Sequence, residues 1–282
     1  MWLVNTVTNV PYDDIEILEA IQEVAERVEG KLSAPDHRDV CDDQHPSVRT
    51  ADKRFGSWNQ AKQAADLETT TRRTNVPLDE WFFEPPYSDE ALYWAGMLLA
   101  DGSVRSENNE LKLLLQEREH IEKFKRDLSS GHAIVETQGC YQISFASEIM
   151  TRDLASLGVV PRKTNQLTLP DIEGDQWRHY LRGWIDGDGH VRPFYTTENS
   201  AWGWQVELAG NVERMRAVRQ HFPVETSLCH EEYMSETGRT AYLRVNGAER
   251  VYRLYQFLYP DGSERSMDRK QEAFEQLNHH RL

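Results

Sequence analysis

The spacing of apolar residues divides the chain into a short helical region and a longer mixed one. Across residues 13 to 29, apolar side chains recur every three or four positions, with Asp13 as a candidate helix cap and Gly30 as the stop. This spacing predicts an amphipathic helix. Shorter segments with serine caps, residues 46 to 56 and 57 to 67, predict two further helices. Short helices joined by tight turns are typical of small DNA-binding units.

A polar stretch separates the two regions. The sequence ETTTRRTNVP, residues 68 to 77, is rich in threonine and ends in proline, which is typical of a linker. We therefore predict a helical module over residues 1–67, a linker over 68–80 and a larger domain over 81–282.

The larger domain repeats one order of elements. From residue 88 the pattern predicts helix, two strands, helix, two strands and helix, and the same order begins again near residue 171. The predicted fold class is α+β, with duplicated αββαββα half-domains over about 88–170 and 171–280 and a small all-α module before them. A period of about ninety residues is too long for a solenoid and indicates two halves related by a pseudo-twofold axis.

Each half begins with the same unusual stretch. The sequences YWAGMLLADG and YLRGWIDGDG are apolar almost all round and end in aspartate and glycine. A helix that is apolar on every side must be buried on every side, so we expect the two helices to pack together. Gly96 and Gly183 permit a close approach of the two backbones. That packing brings Asp101 and Asp188 together at the ends of the helices.

Two carboxylates at helix C-termini require positive charge nearby, because the helix dipole disfavours anions there. Oxygen ligands of this kind suit a divalent cation such as Mg²⁺, which also works with phosphates. We therefore predict a cofactor of Mg²⁺ or Mn²⁺ at Asp101 and Asp188.

The net charge of the chain bears on whether nucleic acid is a possible partner. The chain carries 47 acidic and 32 basic residues, a net charge of -15. Either one face is acidic, or the whole surface is adapted to a high-salt cytosol; the even spread of acids favours the second. At about 1 M salt the screening length is roughly 3 Å, so net charge does not argue against nucleic acid. Three distant cysteines without a C-x-x-C pair, and no long apolar run, predict a cytoplasmic protein without disulfides or zinc.

One segment of the helical module is locally basic. Residues 47 to 63 contain a single acid, Asp52, and the candidate DNA contacts are Arg49, Lys53, Arg54, Asn59 and Lys62. A solvated helix face is the alternative interpretation of these charges. The stretch PSVRTADKRFGSWNQAKQAADL resembles the homing-endonuclease-associated repeat, over about residues 14 to 67, and that resemblance favours DNA.

The two repeated stretches resemble the nine-letter signature of the LAGLIDADG homing endonucleases, over residues 88 to 280. The resemblance implies a metal-dependent double-strand DNA endonuclease, in which the eighth letter, Asp101 or Asp188, binds the metal. The carbonyl groups of Ala100 and Gly187 are candidate further ligands. Lys163 and Lys270, one in each half, are candidate catalytic residues, with Arg244 as a rival.

The same resemblance implies how DNA is bound. Two sheets would lie over the duplex and read base edges, with Arg192 and Arg244 on the strands of the second half as candidate contacts. Both halves of the site lie in one chain, which predicts a monomer. The sixth letter, Asp186 in the second copy, has no ligand role in the family, so replacing it is expected to matter far less than replacing Asp101 or Asp188.

Two other functions remain open from the sequence. The same fold with a helical module also resembles transcriptional regulators that have lost the acids, and some family members are RNA-binding helpers of intron splicing. Retention of both Asp101 and Asp188 favours the enzyme. An intein is not expected, since the start Met1-Trp2 and the end Arg281-Leu282 lack splicing residues.

Overall fold

A computed structural model describes residues 12–28, 30–42, 45–69, 76–161, 169–196, 201–230, 240–260 and 265–279. The chain divides into two compact units, Met1–Asn75 and Val76–Leu282. Within the described ranges, no helix is both long enough and apolar enough to cross a membrane.

The described part of the first unit is helical. Its helices are α1 (Asp14–Glu26), α2 (Ala34–Val40), α3 (Val48–Phe55) and α4 (Trp58–Ala64). The side chain of Asp13 caps α1, and Ser47 and Ser57 cap α3 and α4, as their positions predicted. Helix α1 ends before the predicted stop at Gly30. Apolar faces of the helices form the core, which includes Ile17, Ile21, Val24, Ala51 and Trp58.

This small core also contains an imidazole. The His37 side chain is only 1% exposed, and its ring meets that of Trp58 edge to face at 5.1 Å between centroids. Among the described residues, neither ring nitrogen has a hydrogen-bond partner. Burial, with a smaller contribution from the charge of His45, lowers the pKa of His37 to about 4. The folded unit therefore holds His37 neutral.

We expect the first unit to lose stability as the pH falls from about 6.5 towards 4. In that window the unfolded chain binds a proton at His37 and the folded chain does not, so the free energy of unfolding decreases, by up to about 3 kcal/mol. Hydrogen exchange of the full chain, corrected for intrinsic rates, measures this in peptides from α2 and α4 at pH 7 and pH 5. The variant His37→Phe should keep its protection at pH 5. Equal losses in the variant and the parent would show that another group is responsible.

The second unit contains two copies of one arrangement. The first copy is α5 (Asp89–Asp101), β1 (Gly102–Arg105), β2 (Glu110–Leu115), α6 (Arg118–Asp127), β3 (Val135–Thr137), β4 (Cys140–Ala146) and α7 (Glu148–Ser156). The second copy is α8 (Gln176–Asp188), β5 (His190–Thr196), β6 (Ala201–Asn211), α9 (Val212–Val218), a 3-10 turn (Arg219–His221), β7 (Ser227–His230), β8 (Thr240–Asn246) and α10 (Ala248–Leu258). One more helix, α11 (Asp268–His279), follows. The predicted αββαββα duplication is confirmed.

Each copy folds its strands into one antiparallel sheet. The strand orders are β1-β2-β4-β3 and β5-β6-β8-β7. The inner faces, with residues such as Leu111, Leu113, Val206 and Leu243, belong to one apolar core that also contains α5 and α8.

The end of the predicted linker belongs to the second unit. The Gly131 N–H donates to the carbonyl oxygen of Pro77 at 2.8 Å, and the Asp79 N–H donates to that of Leu128 at 2.9 Å. Trp81 and Phe83, just beyond, are buried. These backbone hydrogen bonds depend on residues about fifty positions away, so the local polar composition of 68–80 did not reveal them.

Candidate active site and nucleic-acid surfaces

The helices α5 and α8 pack against each other at two glycines. A Cβ added to Gly96 would lie 2.8 Å from the Trp184 nitrogen, and one added to Gly183 would lie 2.9 Å from the Met97 nitrogen. Both distances are too short for any side chain. The apolar residues around the crossing are almost fully buried, as the sequence pattern predicted.

This crossing brings the two motif ends together. A Cβ on Gly187 would lie 3.0 Å from the Asp101 carboxylate oxygen Oδ2, so the last turn of α8 touches the last residue of α5. Both Asp101 and Asp188 are exposed, each at the C-terminal end of its helix. Two carboxylates therefore point to solvent from adjacent helix ends, where the helix dipoles add further negative potential.

Lys270 lies at the same place. It stands in the first turn of α11, its side chain is buried, and Nζ donates a hydrogen bond to the carbonyl oxygen of Gly189. Burial and the charge of Arg269 lower the pKa of Lys270, while the carboxylates of Asp101, Asp186 and Asp188 oppose that effect. The other predicted lysine, Lys163, lies outside the described residues.

The oxygen atoms at this place suit a hard divalent cation. Ala100 and Gly187 lie in the last turns of their helices, directly before Asp101 and Asp188 in the chain. Two carboxylates and backbone carbonyls are the ligand types that Mg²⁺ accepts together with water and phosphate oxygens. Among the described residues, no group of three or more His, Cys, Asp or Glu side chains forms a complete metal site.

Asp186, the sixth letter of the second motif, lies in a buried polar cluster. It is fully buried, and its carboxylate accepts hydrogen bonds from the hydroxyl groups of Tyr93 (2.9 Å) and Tyr259 and from the backbone N–H of Met267 (2.9 Å). Burial raises the pKa of Asp186 to about 6, although these three donors and the charge of Arg182 act in the opposite direction. A buried carboxylate requires such partners, so an aspartate inside an otherwise buried helix was a usable signal.

Arg182, which interrupts the second motif, belongs to the same buried cluster. Its guanidinium group lies 5.2 Å from the centre of the Tyr93 ring, and Nη1 donates to the Leu258 carbonyl oxygen at 3.0 Å. The arginine that departs from the motif is thus stabilised by a cation–π contact with Tyr93 and by the carbonyl group of Leu258, the last residue of α10.

A polar row crosses the outer face of the second sheet. Arg192 donates to Gln205 at 3.2 Å, Gln205 donates to Asn246 at 2.8 Å, and Asn246 donates to Ser227 at 3.3 Å. Arg244, on the same face, pairs with Glu207 and lies over the Tyr242 ring. Arg192 is exposed, whereas Arg244 is held by an acidic neighbour.

The candidate contacts in the first unit separate into two groups. Arg49, Lys53 and Arg54 are exposed on α3, where Arg54 pairs with Asp14, and Asn59 is half-buried on α4. Lys62 is 1% exposed, and its Nζ donates to the carbonyl oxygen of Leu32 at 3.0 Å. Burial of the Lys62 side chain argues against the predicted contact with DNA. Its stem fills the small core, and its charge satisfies a carbonyl thirty residues away.

Comparison with known proteins bears on both units. Residues 12–68 match the family model of the homing endonuclease associated repeat. The LAGLIDADG meganuclease I-AabMI, solved with uncleaved DNA, aligns with 67% of this chain and 89% of its own at 12% identity and a TM-score of 0.50. The homing endonuclease I-GzeII, solved with its DNA target, aligns with 67% of this chain and 88% of its own, at 8% identity and a TM-score of 0.48.

A further similarity covers part of a longer protein. The chain is 26% identical over 150 residues, 51% of its length, to a component of the A-type ATP synthase of Methanopyrus kandleri. The chain spans only 14% of the length of that relative. The similarity of I-AabMI at so low an identity is one of fold. The resemblance drawn from the sequence is confirmed to that extent: residues 12–68 match the model of the homing endonuclease associated repeat, and the larger part of the chain shares the fold of a LAGLIDADG meganuclease.

Proposed function

We propose that this chain, which joins a homing endonuclease associated repeat to a LAGLIDADG fold, is a site-specific double-strand DNA endonuclease that uses a divalent metal. The observation that carries the proposal is the meeting of Asp101 and the last turn of α8 at the Gly96 and Gly183 crossing, with Lys270 beside them. A duplicated site of this kind suits an in-line attack on two phosphates.

In this proposal Asp101 and Asp188 hold the metal, with the carbonyl groups of Ala100 and Gly187 as further ligands. A bound Mg²⁺ or Mn²⁺ ion supplies an activated water and charge stabilisation of the leaving 3′-oxygen. Lys270 contributes a positive charge at the edge of the carboxylate pair. Its hydrogen bond to the Gly189 carbonyl restricts its ammonium group to the site, which places that charge before the substrate arrives.

The DNA contacts belong to two kinds of surface. On the second sheet, the exposed Arg192 and the polar row that it begins offer donors and acceptors to base edges. On α3, Arg49, Lys53 and Arg54 suit phosphate contacts, which fix register without reading sequence. The repeat would lengthen the site that the protein recognises. We propose that one copy of the chain acts alone, as a monomer in a high-salt cytosol.

The test is selection of DNA from a randomised library by the full chain, at low salt and at about 1 M salt. We expect enrichment of one long sequence that is cut on both strands with Mg²⁺ or Mn²⁺ and remains intact with EDTA. Enrichment of a sequence that stays intact under every metal condition would favour a DNA-binding regulator. Enrichment from a parallel RNA library alone would favour a splicing helper.

A further inference from the structure

The buried carboxylate of Asp186 joins three segments that are distant in sequence. Tyr93 belongs to α5, Tyr259 follows the end of α10, and Met267 directly precedes α11. The chain of hydrogen bonds continues from the Tyr93 hydroxyl to Nε2 of His120 on α6, at 2.8 Å. Asp186 therefore lies where both motif helices and the final helix meet.

The hydrogen bond from Met267 to Asp186 is made directly before the start of α11. The Met267 carbonyl oxygen accepts the first backbone hydrogen bonds of α11, from Lys270 at 2.9 Å and Gln271 at 3.0 Å. Its N–H points the other way, to Asp186 Oδ2. A carboxylate that accepts a backbone N–H at a helix N-terminus is stabilised by charge and by the helix dipole. Asp186 thus anchors the first turn of α11.

Lys270 is in that first turn, three residues after Met267. Its ammonium group donates a hydrogen bond to the Gly189 carbonyl oxygen. Gly189 lies three residues after Asp186 in the chain. The first turn of α11 therefore contacts the four residues from Asp186 to Gly189 at both ends. Salt bridges of Asp268 with Lys123 and of Arg269 with Glu117 also hold this turn, but they tie it to α6 and its start, whereas the bond to Asp186 ties it to α8, the helix that ends in Asp188.

We propose that Asp186 is a positioning residue: through the Met267 N–H it holds α11 so that Lys270 lies beside Asp101 and Asp188. Asp186 does not touch the substrate or the metal in this scheme. The equivalent position in the first motif is Leu99, which has no carboxylate, so the device is specific to the second half of the site. The proposal rests on the proposed function only for its cleavage measurement.

The first test measures the position of Lys270 without any cleavage. Full-length protein is reacted with an amine-specific label, and mass spectrometry compares Lys270 with Lys112, which lies on β2 in the other half. In Asp186→Asn, which keeps the shape but removes the charge, the anchoring bond becomes a weaker neutral one. We expect Lys270 labelling to rise at least about threefold relative to Lys112. Unchanged labelling would overturn the proposal.

The matched control is Tyr259→Phe. It removes one hydrogen bond to the same carboxylate but leaves the bond between Asp186 and the Met267 N–H. Labelling of Lys270 should stay close to that of the parent. If Tyr259→Phe exposes Lys270 as much as Asp186→Asn does, general loosening of the cluster is responsible and Asp186 has no specific positioning role.

The second test uses cleavage rates in a double-mutant cycle with Lys270→Met. Asp186→Asn alone should slow cleavage about tenfold with unchanged DNA binding, and it should slow cleavage no further when Lys270 is already methionine. The same tenfold loss in both backgrounds would show that Asp186 acts independently of Lys270, against the proposal. If the parent does not cleave, the proposed function fails while the labelling result still decides the positioning role.

Discussion

Replacing Asp101 or Asp188 with asparagine is expected to slow DNA cleavage at least ~10²-fold, about 3 kcal/mol of transition-state stabilisation, while DNA binding survives. Asparagine keeps the size of the side chain but removes the negative charge that a divalent ion needs. Both side chains lie at the exposed ends of their helices, so the fold should not change. A plasmid cleavage time course and a gel-shift titration measure the two properties separately.

Asp175 offers a matched control for this experiment. It lies at the opposite end of α8, is exposed, and makes no capping hydrogen bond from its side chain. Asp175→Asn should cleave like the parent. If Asp101→Asn and Asp188→Asn also cleave like the parent, these acids are not the metal ligands. Parallel loss of binding and cleavage would mean that the two aspartates serve the structure of the helix pair.

Replacing Gly96 or Gly183 with alanine is expected to destabilise the second unit by roughly 3 kcal/mol or more. The added methyl group would lie against the backbone of the partner helix, 3.0 Å from the Tyr180 carbonyl carbon or 2.9 Å from that of Tyr93. Backbone atoms cannot move aside as a flexible side chain can, so the helices must separate. Urea unfolding followed by far-ultraviolet circular dichroism gives the change in the free energy of unfolding.

The sign of this effect is itself diagnostic. Alanine is favoured over glycine in a helix interior by about 1 kcal/mol, so an unpacked helix would become more stable. Gly30→Ala serves as the comparison, because no described residue lies within 4 Å of its missing Cβ and its φ of +97° alone predicts a loss of about 1 kcal/mol. A stabilising effect of Gly96→Ala would contradict the close crossing of α5 and α8.

Local patterns were sufficient for most of the secondary structure. The caps Asp13, Ser47 and Ser57 act within three residues of their own positions, so their chemistry is visible in a short window. The alternation of apolar and polar residues in β2 and β8 likewise indicates which face of each strand is buried. The duplication followed from two similar stretches that are each followed by the same order of predicted elements.

Long-range contacts limited what could be predicted about the site. Lys62 looked like part of a basic face, yet the core of the module holds it because Leu32 offers a carbonyl oxygen there. Asp186 looked dispensable because its three donors lie up to 93 residues away. The residues near Lys62 and Asp186 in the sequence do not identify these partners, because the partners come together only when the chain folds.

The sequence by itself predicted the two motif helices, their close approach at Gly96 and Gly183 and the two aspartates at their ends. These features depend on residue type and local spacing, which decide capping, periodicity and close approach. Only the tertiary structure decided which of the neighbouring charges act together. It placed Lys270 against Gly189, 81 residues away, and anchored its helix to the buried Asp186. The physical reason is that burial, which makes these charges interact strongly, is a property of the packed chain and not of any segment of it.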